Sequence, residues 1–144
     1  MRKKITVYTD GACKGNPGSG GWAAIILDNG KETVLRGGEE LTTNNRMELT
    51  AVIAAVEHLS CPCDITICCD STYVMMSKAR WEAWNKKPSL PNRDLWERLI
   101  NAGKKGRHLI FYKHVDGHTG VVLNERCDKI AREQATKYWR YGND

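Results

Sequence analysis

The segment Ile65-Thr66-Ile67-Cys68-Cys69 is short, β-prone and almost wholly apolar, the pattern of a strand covered on both faces of its sheet. Helical periodicity flanks it on each side. Before it, Val52, Ala55, Val56 and Leu59 recur at helical spacing across residues 46–59, and Thr43, Asn44 and Asn45 can cap the first turn. After it, Asp70-Ser71 is placed to cap a helix reaching about residue 78. A strand entered from one helix and left through another adds to its sheet in parallel, so this order commits the chain to an α/β structure.

The preceding part of the chain reads differently. Residues 5–9, 22–27 and 31–36 are strand-like, with Asp28-Asn29-Gly30 a tight turn between the last two. The first strand is expected to stop at Asp10-Gly11, before a turn-rich loop over 15–21, and Gly37-Gly38 to end the third. Three antiparallel strands in a meander result. Further on, residues 81–85 suit a short helix, 86–92 a loop holding Pro88 and Pro91, 94–102 a helix, and 109–113 a last strand. The loop over 117–120 contains two glycines, and Asn124 is expected to cap a final helix reaching about residue 141. The expectation is a mixed five-stranded sheet flanked by helices. A chain of 144 residues holds it in a single domain, with 142–144 a frayed tail.

Lys and Arg exceed Asp and Glu by 22 to 17, a formal charge of +5 that leans modestly toward anionic partners. The N-terminus, Met1-Arg2-Lys3-Lys4, runs straight into a strand, so no secretory or membrane segment is read. A cytoplasmic location with reduced thiols is expected, and most of the six cysteines read as small buried hydrophobes. Cys68 and Cys69 should point to opposite faces. Cys61-Pro62-Cys63 has no matching ligand pair elsewhere to make it a zinc site.

Four acids deserve separate readings. Asp10 ends the first strand on the face of Thr6 and Tyr8, where it could begin a turn. Asp70 ends the parallel strand, where it could cap a helix. Glu48 follows Asn45 by three residues, the spacing of a capping box, yet it shares a helix face with Val52, Ala55 and Leu59 and should have a positive neighbour. Asp128 lies one turn into the last helix, where it suits the helix dipole while facing Ala131 and Ala135. If the two strand ends adjoin and both helices pack on the sheet, the four acids converge. Like charges at such range need compensation, and oxygen ligands without a well-placed His or Cys set select magnesium or manganese over zinc.

The ordered blocks around these acids are more specific than any one of them. Tyr8-Thr9-Asp10-Gly11-Ala12-Cys13 with Gly15-Asn16-Pro17-Gly18, then Thr42-Thr43-Asn44-Asn45-Arg46-Met47-Glu48-Leu49, then Cys69-Asp70-Ser71 with Tyr73-Val74, form the first three. Val115-Asp116-Gly117-His118 and Asn124-Glu125-Arg126-Cys127-Asp128 complete the series. Together they resemble bacterial type 1 ribonuclease H over nearly the whole chain. The resemblance implies a two-metal endonuclease that cuts the RNA strand of an RNA–DNA hybrid, leaving 5′-phosphate and 3′-hydroxyl ends. Asp10, Glu48, Asp70 and Asp128 would be its ligands for two Mg²⁺ (or Mn²⁺) ions, and His118 would assist proton transfer or product departure. It also implies that Asn16, Asn44, Asn45 and the backbone near Gly11 and Cys13 face the RNA strand, with Thr72 where relatives can offer a glutamine. Trp81 and Thr43 would approach the DNA strand. The enzyme is expected to work as a monomer.

This chain departs from the pattern in two places. The stretch from Trp81 to Trp96 is shortened and keeps Arg80, Lys86, Lys87 and Arg93 as its local cations, where many bacterial members carry a long basic protrusion. Leu41 stands where relatives can place an arginine on a DNA phosphate. Two rival readings are a DNA-acting nuclease of the same fold and a hybrid-binding module without catalysis. The Thr-Thr-Asn-Asn-Arg-Met-Glu block argues against the first, and the presence of all four acids against the second.

Overall fold

The computed structural model describes residues 2–76, 81, 90–116 and 121–139. Strand β1 (Lys3–Cys13), β2 (Gly18–Asp28) and β3 (Lys31–Thr42) form the antiparallel meander, followed by helix α1 (Asn44–His58) and strand β4 (Cys63–Cys69). Then come α2 (Thr72–Met75), α3 (Arg93–Gly106), β5 (Leu109–His114) and α4 (Val122–Lys137). The strands lie in the order β3-β2-β1-β4-β5, with β4 parallel to both β1 and β5. This is the mixed five-stranded sheet that the apolar run at β4 requires. Asn29 and Gly30 take positive φ values of 50° and 88°, the backbone of the tight turn between β2 and β3.

Alternation along the strands divides the apolar side chains between two faces. Ile5, Val7, Ala24, Ile26, Ile65, Ile67 and Cys69 point toward α1 and α3, where they meet Leu49, Val52, Ile53, Val56, Trp96 and Leu99. On the opposite face Ala23 and Ile25 pack against Cys127 and Ala131 of α4. Cys69 belongs to the first face and its neighbour Cys68 is buried outside that cluster, as adjacent strand residues must be.

Several element ends lie elsewhere than the sequence suggests. β1 does not stop at Asp10; it continues to Cys13, because β2 starts at Gly18 and pairs with it as far as Cys13↔Gly20. The glycines that read as a loop are places of close approach. A Cβ on Gly21 would lie 2.2 Å from the carbonyl oxygen of Ala131, so the bare strand is what lets α4 seat on the sheet. β3 likewise runs past Gly37-Gly38 to Thr42, since Trp22 lies across Gly37 and Tyr138 across Gly38. Asn124 is not the cap of α4: Val121 occupies that position, and Asn124 is a buried residue of the first turn. Residues 82–85 of the helix expected over 81–85, the basic residues Arg80, Lys86 and Lys87, and the loop over 117–120 with His118 lie outside the described residues.

Candidate active site

The ladder between β1 and β4 ends at Tyr8↔Cys68, whereas that between β1 and β2 goes on for five more residues of β1. Beyond Tyr8, then, β1 has a neighbour on one side alone, and a gap opens beside it. Asp10 sits in this gap, on the face it shares with Tyr8 and Ala12, and Asp70 enters it directly after the last residue of β4. Glu48 arrives from the other face, on the first turns of α1. The ligand oxygens of Asp10, Glu48 and Asp70 all lie within 4.8 Å of one another.

Gly11 permits that approach. A Cβ at this position would be 2.5 Å from the backbone nitrogen of Glu48 and 2.7 Å from the carbonyl carbon of Met47, so α1 rests on the bare backbone of β1. Thr43, and not Asn45, caps α1, its Oγ1 accepting from the Arg46 N–H at 3.3 Å. Glu48 therefore has no capping-box duty, and its carboxylate is released into the acid cluster.

Asp10 is 4% exposed and Glu48 7%. Burial first, and then the charge of Asp70, push Asp10 up to about 7, against the pull of the Gly11 N–H that donates to its Oδ1 at 2.9 Å. Glu48 is raised well above its ordinary value by burial, followed by Asp10 and Asp70. Its Oε2 is buried without a hydrogen-bond partner, and among the described residues no side-chain cation pairs with it, contrary to the positive neighbour expected from the sequence. An orphaned carboxylate oxygen between two further acids fits a bound divalent cation. Cys69 and Cys127 stand nearby, with burial pushing both thiols up to about 12, and neither belongs to the cluster of ligand atoms. The donor set is oxygen, suited to a hard cation.

Asp128 lines the same open cleft, about 390 Å³ in volume, together with Asp10, Gly11, Glu48 and Asp70. It reaches Asp10 with its side chain, outside the mutual 4.8 Å grouping of the other three, and its Oδ2 is 2.8 Å from Nη2 of Arg132, one turn along α4. The remaining sequence-derived residues divide by position. Asn44, Asn45 and Thr72 line the cleft, and Asn16 reaches its border through Oδ1, which accepts from the Asn44 N–H at 3.0 Å. Cys13 lies at the end of β1, its thiol donating to the carbonyl of Thr42 at 3.4 Å. Trp81 is half-buried against the main core, with the Arg93 guanidinium 5.8 Å from its ring centroid, and does not line the cleft.

Sequence reasoning passed over four residues here. Ser71 and Tyr73 line the cleft, and the Tyr73 hydroxyl accepts from Asn92 Nδ2 at 2.9 Å and Trp96 Nε1 at 3.2 Å. Arg46 donates to both carboxylate oxygens of Asp94, at 2.9 and 2.7 Å, tying α1 to the start of α3. Arg132 was legible, since its spacing from Asp128 is that of an i,i+4 helix pair; the Arg46–Asp94 contact joins residues too distant in sequence to be read.

Known proteins resemble this chain in sequence and fold. The RNase H family profile matches residues 2–136. Ribonuclease H of Nitratidesulfovibrio vulgaris is 48% identical over 143 residues, spanning 92% of this chain and 90% of that protein. Among solved structures, LC9-RNase H1, described as a type 1 RNase H with the type 2 active-site motif, superposes with a TM-score of 0.82 at 26% identity. It covers 99% of this chain and 76% of its own. LC11-RNase H1, solved in complex with an RNA/DNA hybrid, shares the fold at a TM-score of 0.74 and 23% identity, over 92% of this chain and 97% of its own. With the acid cluster at the strand ends and a match over almost its full length, the chain belongs to the metal-dependent ribonuclease H family, on its bacterial type 1 branch.

Proposed function

We propose that the protein hydrolyses the RNA strand of RNA–DNA hybrids at the cleft between β1, α1, β4 and α4, with Mg²⁺ as the working cation. The observation that carries this reading is the buried, partnerless Oε2 of Glu48 within the cluster of three acids. Asp10, Glu48 and Asp70 would hold one cation, and Asp128 would serve a second after exchanging its contact with Arg132. Two such ions would supply activation of a water and charge stabilisation on the leaving oxygen of an in-line displacement, giving 5′-phosphate and 3′-hydroxyl ends.

The chain's own residues position the substrate. Asn44 and Asn45 present amides at the N-terminus of α1, where an RNA 2′-hydroxyl can both donate and accept. The Asn16 carbonyl orients that turn through the Asn44 N–H, and Thr72 and Tyr73 close the cleft opposite. His118 is assigned proton transfer or product departure, Thr43 and Trp81 the DNA strand, and Gly11 and Cys13 backbone contacts to the RNA. We further propose that the enzyme acts as a monomer in the cytoplasm; among the described residues no helix is long and apolar enough to cross a membrane.

Cleavage of a labelled hybrid, an all-DNA duplex and an all-RNA duplex in parallel, with Mg²⁺ and with chelator, tests the reading. Cuts confined to the RNA strand of the hybrid and abolished by chelator are expected. Cleavage that persists in chelator would overturn it.

A further inference from the structure

The end of β4 away from Asp70 carries chemistry that the nuclease site does not use. In Cys61-Pro62-Cys63 the two sulfurs stand 4.0 Å apart, both reduced. Their surroundings differ. Cys63 opens β4, is fully buried, and has its backbone held from two directions: its N–H donates to Nδ1 of His108 at 3.1 Å, and its carbonyl accepts from Nη2 of Arg2 at 2.8 Å. It also lies opposite Lys3 in the β1 ladder. Cys61 is exposed and sits in the bend before the strand. A disulfide needs its sulfurs about 2 Å apart, so closure asks for a shift of about 2 Å, which the bend can supply while the clamped strand stays in place.

We propose that Cys61 and Cys63 form a redox-active dithiol, in which Cys61 meets a small-molecule disulfide of the glutathione class and Cys63 resolves the adduct. The Cys61 thiolate attacks one sulfur of oxidised glutathione. A mixed disulfide forms, the glutathione S–S bond breaks, and one glutathione leaves as a thiol carrying the proton that Cys61 gave up. The Cys63 sulfur then attacks Cys61 Sγ, the protein disulfide forms, and the second glutathione departs with the proton from Cys63. The two cysteines lose two electrons and the oxidant gains them.

The order of the steps follows from the site. Burial pushes the Cys63 thiol up to about 11 even with the Lys3 ammonium pulling it down, so it is a poor first nucleophile and reacts once a disulfide is brought against it. The exposed partner makes the encounter, and the two nearest cations are spent locally, Arg2 on Asp64 and Lys3 on Asp28.

Incubating the folded protein in glutathione buffers of increasing oxidised fraction, blocking remaining thiols and cleaving before aspartates gives the test. Residues 28–63 then hold Cys61 and Cys63 as their cysteines, and residues 64–69 hold Cys68 and Cys69. The first fragment is expected to become two hydrogens lighter in proportion to the oxidant while the second stays blockable. Cys63→Ser should instead accumulate the glutathione adduct on residues 28–63, and the exposed-site variant Cys61→Ser should leave that fragment unmodified. Stable glutathione on wild-type residues 28–63, no reaction there, or equal oxidation of residues 64–69, which would mean that the thiols react through unfolding, each overturns the proposal.

Discussion

Nη2 of Arg132 stands 2.8 Å from Oδ2 of Asp128, so the acid on the α4 side of the cleft already has a counter-charge. A cation using Oδ2 of Asp128 has to displace that guanidinium. Arg132→Gln is therefore expected to tighten Mg²⁺ binding about two- to fivefold, the range of an exposed ion pair. Calorimetric titration of the hybrid-free protein measures it, and an unchanged or weaker affinity means that Arg132 does not compete.

Asp10→Asn removes a member of the acid cluster and with it a buried like charge. The rate of hybrid cleavage should fall about a thousandfold, roughly 4 kcal/mol of transition-state stabilisation. Without metal, the same variant should be more stable than wild type by about 1–2 kcal/mol in denaturant unfolding. A variant that lost both activity and stability would place Asp10 in the scaffold instead.

The raised carboxyls set the sign of the pH dependence. Asp10 is protonated in the folded chain up to about pH 7 but ionises near its ordinary value when unfolded, so the folded state binds more protons between these limits. Its contribution to stability is complete below the unfolded value and is lost as pH rises through 7. The metal-free protein should melt lower at pH 8 than at pH 5 in this respect, by about 5 °C. His108 acts in the opposite direction: burial lowers its value, so its contribution is present above the ordinary histidine range and lost as pH falls through the folded value. Comparing melting curves of wild type and Asp10→Asn isolates the carboxylate part, which saturating Mg²⁺ should flatten.

Gly11→Ala places a methyl group 2.5 Å from the nitrogen of Glu48, against backbone that cannot swing aside. A loss of about 2–3 kcal/mol in stability is expected, with a larger fall in kcat than in hybrid affinity as Glu48 is pushed from Asp10. Equal cleavage rates for variant and wild type would contradict the account of how α1 seats.

Leu41 is 75% exposed beside the start of α1, where a basic side chain could meet a phosphate. Leu41→Arg should strengthen hybrid binding about threefold at low salt and steepen the logarithmic salt dependence by about one charge. Fluorescence anisotropy across a salt series would show this; parallel lines for the two proteins would remove the position from the substrate path.

The fold was legible where local pattern and tertiary demand coincide. The apolar run of β4, the Asn29-Gly30 turn and the stripe of Val52, Ala55, Val56 on α1 each have one comfortable arrangement. Glycine misled the reading of β1 to β3, because Gly21 and Gly37 look like turn residues in isolation while serving a helix and a tryptophan that are distant in sequence. The four acids were visible through their ordered blocks. Invisible were the early end of the β1–β4 ladder, which makes the gap they meet in, and the absence of a cation beside Glu48 among the described residues.

That gap separates the chemistry of this protein from its architecture. On its open side Asp10 belongs to no ladder, and exchanging its carboxylate for a carboxamide costs no hydrogen bond that holds strands together. A disarmed variant therefore keeps the full shape of the cleft. On the proposed function it would serve as a capture reagent that holds hybrids and leaves them whole, with Asn44 and Asn45 still lining the cleft.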